Sequence, residues 1–312
     1  MGCRMSAATE RPAGRENRSG PGSGLDFQRV PILHPFLVTP AQAFGRPVCR
    51  LGLASYGQSA ITPEDVLYAL SRGVNFLNWQ GRAEGSSDDD AFSAAVAALG
   101  KDRPSVVACA QFGARSANDA ATELRSVLTS LGTDYIDVLT IYYVERADEW
   151  EEITSPGGAL PYLRDAQRDG VVRRLGVTSH QRTLAARMAA SGLLDLVMVR
   201  YNAAHRGAEH DVFSVTVPLG LPVIAYTALR WGALLQRTPD DPPGILIRRA
   251  PDWYRFVLQH PGVAVTLAAP QMRAELDEDL HDLEATGPLG DDEYAALAEQ
   301  GERVRRHAGG FR

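Results

Sequence analysis

Two adjacent tyrosines, Tyr142 and Tyr143, lie near the end of a dense run of β-branched, aromatic and aliphatic residues that extends from Asp134 to Glu145. A phenol at the end of a buried strand can donate a proton or hydrogen-bond a ligand oxygen, or it can simply plug the space. Alternation places Tyr142 on the side of Val138 and Thr140 and turns Tyr143 toward surrounding helices. Arg200 ends a later apolar run, where a guanidinium needs either a protein carboxylate or an anionic ligand. Tyr56 and Trp79 follow two earlier runs and suit the wall of a small-molecule pocket, or plain packing. His180 and His205 read as capping or structural, and Cys109 as a small apolar interior residue. Asp88, Asp89 and Asp90 suit the positive end of a helix dipole, so no metal is expected.

The elements that would position these groups alternate regularly. Strands are expected at Cys49–Ala54, Val74–Trp79, Ser105–Gln111 and the Asp134–Glu145 run, then at Val171–Val177, Leu193–Val199, Leu221–Tyr226 and Val263–Ala268. Between and after them the apolar spacing changes to a helical period. Helices are expected from Thr62-Pro63-Glu64-Asp65, from about Asp88 to Leu99, and from Ser116 to Gly132. Further helices are expected at Gln181–Ala190, Glu209–Val215, Pro251–His260, Gln271–Leu283 and Asp291–Arg305. Thr62 supplies a cap, Pro63 a first-turn proline and Glu64 and Asp65 first-turn acids. The stretch Glu145–Gly158 reads as a polar loop. Strict alternation demands a parallel sheet with right-handed crossovers, and eight such units favour a closed (β/α)8 TIM barrel in a single domain. The barrel is expected over residues 27–312, after a disordered polar tail at residues 1–26. Residues 27–48 read as a hairpin or an irregular cover.

With 45% hydrophobic residues in 312, the chain can bury a large core. A net charge of −6 argues against nucleic acid and against an anionic membrane surface as partners. No apolar run reaches the roughly 20 residues of a membrane span, and the N-terminal stretch lacks a secretory apolar core. Three cysteines without metal spacing fit a reduced cytoplasm.

Several short stretches, in order, resemble the aldo-keto reductase superfamily: Gly73-Val-Asn-Phe-Leu, Asp134-Tyr-Ile-Asp-Val, Gly170-Val-Val-Arg-Arg-Leu-Gly-Val, Arg200-Tyr-Asn, Val223-Ile-Ala-Tyr and His260-Pro-Gly-Val. The resemblance implies NADP(H)-dependent carbonyl reduction by a tyrosine, a lysine, an aspartate and a histidine at strand ends. The tyrosine gives the proton, the lysine lowers its pKa, the aspartate holds the lysine and the histidine orients the carbonyl. Here the aspartate position holds Asn78, the lysine position Gln111, the histidine position Tyr142 and the tyrosine position Ala83. Asn78 and Gln111 are expected to hydrogen-bond each other without tuning any pKa. By the same resemblance Thr178 and Ser179 stand where the carboxamide is gripped, and Tyr226 where an aromatic stacks under the nicotinamide. The cluster Glu275-Leu-Asp-Glu278-Asp279 puts acids where cations would meet the 2′-phosphate. NADP(H) is therefore expected to bind weakly, and no cofactor is assigned.

Three functions follow. The leading expectation is redox-neutral chemistry (dehydration, cyclisation or isomerisation) on a small polar, anionic metabolite at the C-terminal barrel face. Catalytic roles would fall to Tyr142, Asn78 and Gln111, and ligand contacts to Arg200, Tyr56 and Trp79. The alternatives are an NAD(P)H-dependent oxidoreductase with a non-standard proton donor, and a non-catalytic binding or regulatory subunit.

Overall fold

The computed structural model of the chain describes residues 32–55, 59–81, 90–281, 285–307 and 309. The expected N-terminal tail and Tyr56 lie outside the described residues, as does Ala83. A short antiparallel pair, β1 (Val38–Thr39) and β2 (Val48–Cys49), opens the structure. Eight parallel strands then close on themselves: β3 (Leu51–Ala54), β4 (Phe76–Trp79), β5 (Val107–Phe112), β6 (Ile136–Ile141), β7 (Val172–Ser179), β8 (Leu196–Arg200), β9 (Val223–Tyr226) and β10 (Val263–Ala268). Closure is made by β10 against β3, with Thr266 opposite Leu51 and Ala268 opposite Leu53. This is the (β/α)8 barrel.

The two-residue period of each strand divides its side chains between two cores. Phe76, Val107, Cys109, Val138, Leu196, Met198 and Val265 fill the barrel. Leu77, Ala108, Leu139 and Val197 face the helices. Two glycines make room inside: a Cβ at Gly52 would stand 2.8 Å from Phe76 Cδ1, and one at Gly176 would stand 3.0 Å from the Leu196 carbonyl oxygen. Phe44, beside the β1–β2 pair, packs edge-on against Phe76 with centroids 5.3 Å apart and closes the N-terminal end. At the same end Arg103 and Arg173 meet buried Asp137 at 2.8 and 2.9 Å, and Arg46 approaches at 3.4 Å. An apolar plug and an ion cluster thus occupy one mouth, so strand-end chemistry belongs to the other.

Two stretches differ from the sequence expectation. Glu145–Gly158 is not a loop, because Ala147–Thr154 forms a helix that a second one, Ala159–Arg168, follows. Asp148 and Glu149 suit the first helix's N-terminus, and its Ile153 is buried. The expected helix at Glu209–Val215 is two separate turns, Ala208–Asp211 and Phe213–Thr216. Cys49 and Cys109 are buried, and burial pushes both thiols up to about 12, which leaves little thiolate for chemistry. Among the described residues, no helix is long and apolar enough to cross a membrane.

Candidate active site

A neutral network floors the C-terminal end of the barrel. The Gln111 amide donates to Asn78 Oδ1 at 2.9 Å and reaches Met198 Sδ at 3.4 Å. Its Oε1 accepts from the Thr140 hydroxyl at 3.0 Å and from the Thr178 hydroxyl at 3.2 Å. An amide has two donors and two acceptor sites, so Gln111 is saturated by protein partners. Asn78 is 1% exposed and Gln111 9%. The expected pair exists and packs the barrel, with every hydrogen-bonding site of Gln111 taken by protein partners. Thr178, expected at a carboxamide, is committed to the same floor.

Above the floor stands an aromatic wall. Tyr142 lies one residue past the end of β6, and its ring stacks on Tyr143 with centroids 3.8 Å apart. Tyr143 is not turned toward the helices as alternation implied. The strand has ended at Ile141, and Tyr143 takes a left-handed φ of 47° that alternation does not describe. The tyrosine pair is held through its carbonyls. Arg115 donates to the Tyr142 oxygen at 2.6 Å and pairs with Glu149 at 2.7 Å, while Glu149 also accepts the Glu145 backbone N–H at 3.0 Å. The helix that the sequence hid is therefore what positions this turn. Burial, then a hydrogen bond to Tyr143, raises the Tyr142 phenol above its ordinary pKa. It can donate a proton only reluctantly.

His180 follows the end of β7 and continues the wall, with its ring 4.2 Å from that of Tyr143 and edge-on to Tyr226 at 5.9 Å. Its Nδ1 stands 3.3 Å from Glu145 Oε1, and the same oxygen accepts its backbone N–H at 2.7 Å. Burial, then the Arg200 charge, lowers its pKa against the upward pull of Glu145. The Tyr226 hydroxyl donates to the Ser179 carbonyl at 3.4 Å, and Ser179 Oγ accepts the Gln181 N–H at 3.1 Å.

Cations gather beside the wall. Arg200 ends β8, half-buried, with its guanidinium 5.8 Å from the Trp231 ring, and Arg230 lies 5.9 Å from the same ring. Two carboxylates on the turns that follow β8 pair with other arginines: Glu209 with Arg206 at 2.7 Å and Asp211 with Arg182 at 2.6 Å. Arg182 also approaches His205 Nε2 at 3.3 Å. Burial and the charges of Arg200, Arg182 and Arg230 hold His205 down at about 4. Trp79 does not line this mouth. It is 5% exposed in the helix-facing core, with its indole N–H on Asp90 at 2.7 Å. Trp231, 62% exposed, is the tryptophan at the mouth.

The family model described as "Aldo/keto reductase family" matches residues 52–246, most of the barrel. The chain belongs to the aldo/keto reductase family. It is 29% identical over 131 residues to a D-threo-aldose 1-dehydrogenase from a Pseudomonas species, a match that spans 41% of this chain and 39% of that relative. Its fold matches an aldo-keto reductase from Bacillus halodurans at TM-score 0.64, with 16% identity, over 84% of this chain and 95% of the other. An aldo-keto reductase from Klebsiella pneumoniae in complex with NADPH gives TM-score 0.63 and 20% identity over 85% and 95% of the two chains.

Among the described residues of this aldo/keto reductase barrel, Tyr142, Tyr143, Glu145, His180, Arg200 and Tyr226 meet at the C-terminal mouth. Sequence reading missed Tyr143, Glu145 and His180 as a group. The signal was present: Tyr143 and Glu145 leave one strand and His180 leaves the next, so both exits open on the same mouth. Acids expected to repel a 2′-phosphate are also partly committed. Asp277 pairs with Arg273 at 2.9 Å, Glu275 accepts the Gln271 N–H at 2.7 Å, and buried Asp279 accepts from Tyr254 at 3.1 Å.

Proposed function

We propose that this chain is a nicotinamide-dependent oxidoreductase of small polar, anionic ligands, working without the proton donor usual in its family. The observation that carries this is where backbone strain has been kept. Among the described residues, the non-glycine residues with left-handed φ are Tyr143, Thr227, Arg230 and Trp231. All lie in the two loops that leave β6 and β9 at the C-terminal mouth. Such conformations cost on the order of 1–3 kcal/mol each and persist where function uses them.

The side chains fit the group that the family implies in kind. Tyr226 offers a partly buried ring as a platform, and Arg200 and Arg230 offer charge to a diphosphate or a ligand carboxylate. Bound there, a nicotinamide dinucleotide would supply hydride exchange with a carbonyl or alcohol carbon. Ser179 and Thr178 add little to that grip, since both hydroxyls are buried and bonded within the protein. This supports modest rather than tight affinity.

The second reading is redox-neutral chemistry at the same mouth. It draws on the neutral Gln111–Asn78 floor, which removes the charged pair that would tune a phenol for reduction. The test is turnover followed by nicotinamide absorbance, with aldoses, 4-nitrobenzyl alcohol and 4-nitrobenzaldehyde in both directions. Dinucleotide-dependent turnover that Tyr226→Ala diminishes supports the oxidoreductase. Its absence with every pair, alongside ligand binding at the mouth, supports the second reading.

A further inference from the structure

We propose that His180, positioned by Glu145, is the catalytic proton acceptor of this mouth, taking the proton from a hydroxyl of the bound ligand. The inference rests on the reading that the mouth is a reaction centre, and it deepens that reading by assigning the base. A base that works needs an orienting partner, an open nitrogen and a position among the groups that contact ligand.

The geometry meets each need. Glu145 Oε1 stands 3.3 Å from Nδ1, so its charge favours the proton of the neutral ring on that side, which would leave the lone pair on Nε2. The ring lies between Tyr143 and Tyr226, with centroids 4.2 and 5.9 Å away, instead of turning out to solvent. A role limited to anchoring the backbone would require only the carboxylate on the His180 N–H, a contact already made at 2.7 Å. The charged or titratable groups that face the ring are Glu145 and Tyr143 after β6, Arg200 at the end of β8 and Tyr226 at the end of β9. Burial and Arg200 keep the imidazole neutral near pH 7, the form that accepts a proton, and Glu145 compensates the imidazolium once formed.

Other groups near the mouth are worse bases. Tyr142 holds its proton more firmly than a free phenol, and Cys109 is buried with its thiol at about 12. His205 is held at about 4 among three arginines. The step balances as a proton transfer: the ligand O–H bond breaks, its electron pair remains on oxygen, and Nε2 gains the proton through its lone pair. The imidazolium then returns it to water.

The test compares wild type with His180→Gln and Glu145→Gln. With 4-nitrobenzyl alcohol or an aldose and NAD⁺ or NADP⁺, His180→Gln should lower kcat by roughly 10²–10⁴ with KM little changed. The acidic limb of the pH profile should vanish in His180→Gln and move to lower pH in Glu145→Gln. A limb unchanged in both variants would overturn the assignment. If no dinucleotide supports turnover, the oxidoreductase reading fails separately, and ¹⁵N NMR of the His180 ring decides the dyad. An Nδ1–H tautomer that titrates lower in Glu145→Gln supports it, whereas an Nε2–H tautomer, or a titration that ignores Glu145, refutes it.

Discussion

The Gln111 side chain donates to Asn78 Oδ1 across 2.9 Å while two threonine hydroxyls donate to its own oxygen. A lysine in place of Gln111 would bury an ammonium beside neutral acceptors. We expect Gln111→Lys to destabilise the fold by about 3–5 kcal/mol, the range for an uncompensated buried charge. Adding Asn78→Asp should recover part of that loss, because it supplies a counter-charge. Chemical denaturation of the single and double variants measures both.

Even with the charged pair rebuilt, a useful reductase is not expected. Asn78→Asp, Gln111→Lys and Tyr142→His, with a tyrosine at Ala83, would recreate side-chain types without the cofactor grip, since Thr178 and Ser179 remain buried in their own bonds. Reduction of 4-nitrobenzaldehyde by this quadruple variant at a rate well above wild type would show that only the four side chains had been lost.

Arg200 connects the anion question to the titration of its neighbours. Its charge lowers both His180 and His205, after burial. Arg200→Gln should therefore raise both histidine pKa values, read from ¹H–¹³C spectra across pH 4–9. The same variant should weaken inorganic pyrophosphate binding about tenfold or more, equivalent to roughly 1.4 kcal/mol.

Away from the mouth, Asp279 provides a pH-dependent check on the packing. Burial raises its carboxyl from 3.8 to about 7 against the hydrogen bond from Tyr254. The folded state thus holds a proton that the unfolded chain has released, so stability from this group is full below about pH 4 and declines until about pH 7. Asp279→Asn should raise the melting temperature at pH 8, by a gain on the order of a few kcal/mol, and make little difference at pH 4.

The barrel was legible because its strands are short apolar runs that end at Gly, Pro or charge, and β10 occupies the expected Val263–Ala268. Legibility failed where tertiary contacts override local pattern. Ala147–Thr154 is rich in acids and reads as loop, yet Glu149 caps the tyrosine turn through Arg115. Tyr143 escaped because alternation ends with the strand, and Trp79 because a strand-end aromatic says nothing about which layer it enters. His180 and Glu145 are 35 residues apart, and only the adjacency of β6 and β7 brings them together. The positions at which the resemblance implies the family's four side chains could be read from the sequence, whereas the partners that Asn78, Gln111 and Tyr142 find could not.

The most direct measurement is calorimetric titration of NADPH and NADH into wild type, Tyr226→Ala and Arg200→Gln. A nicotinamide-dependent mouth with a weakened grip predicts a wild-type Kd on the order of tens of micromolar, about −6 kcal/mol. Tyr226→Ala should weaken it about three- to tenfold, as expected for loss of ring stacking worth roughly 0.5–1.5 kcal/mol. No binding heat up to millimolar dinucleotide, or an affinity that neither substitution changes, would contradict the account.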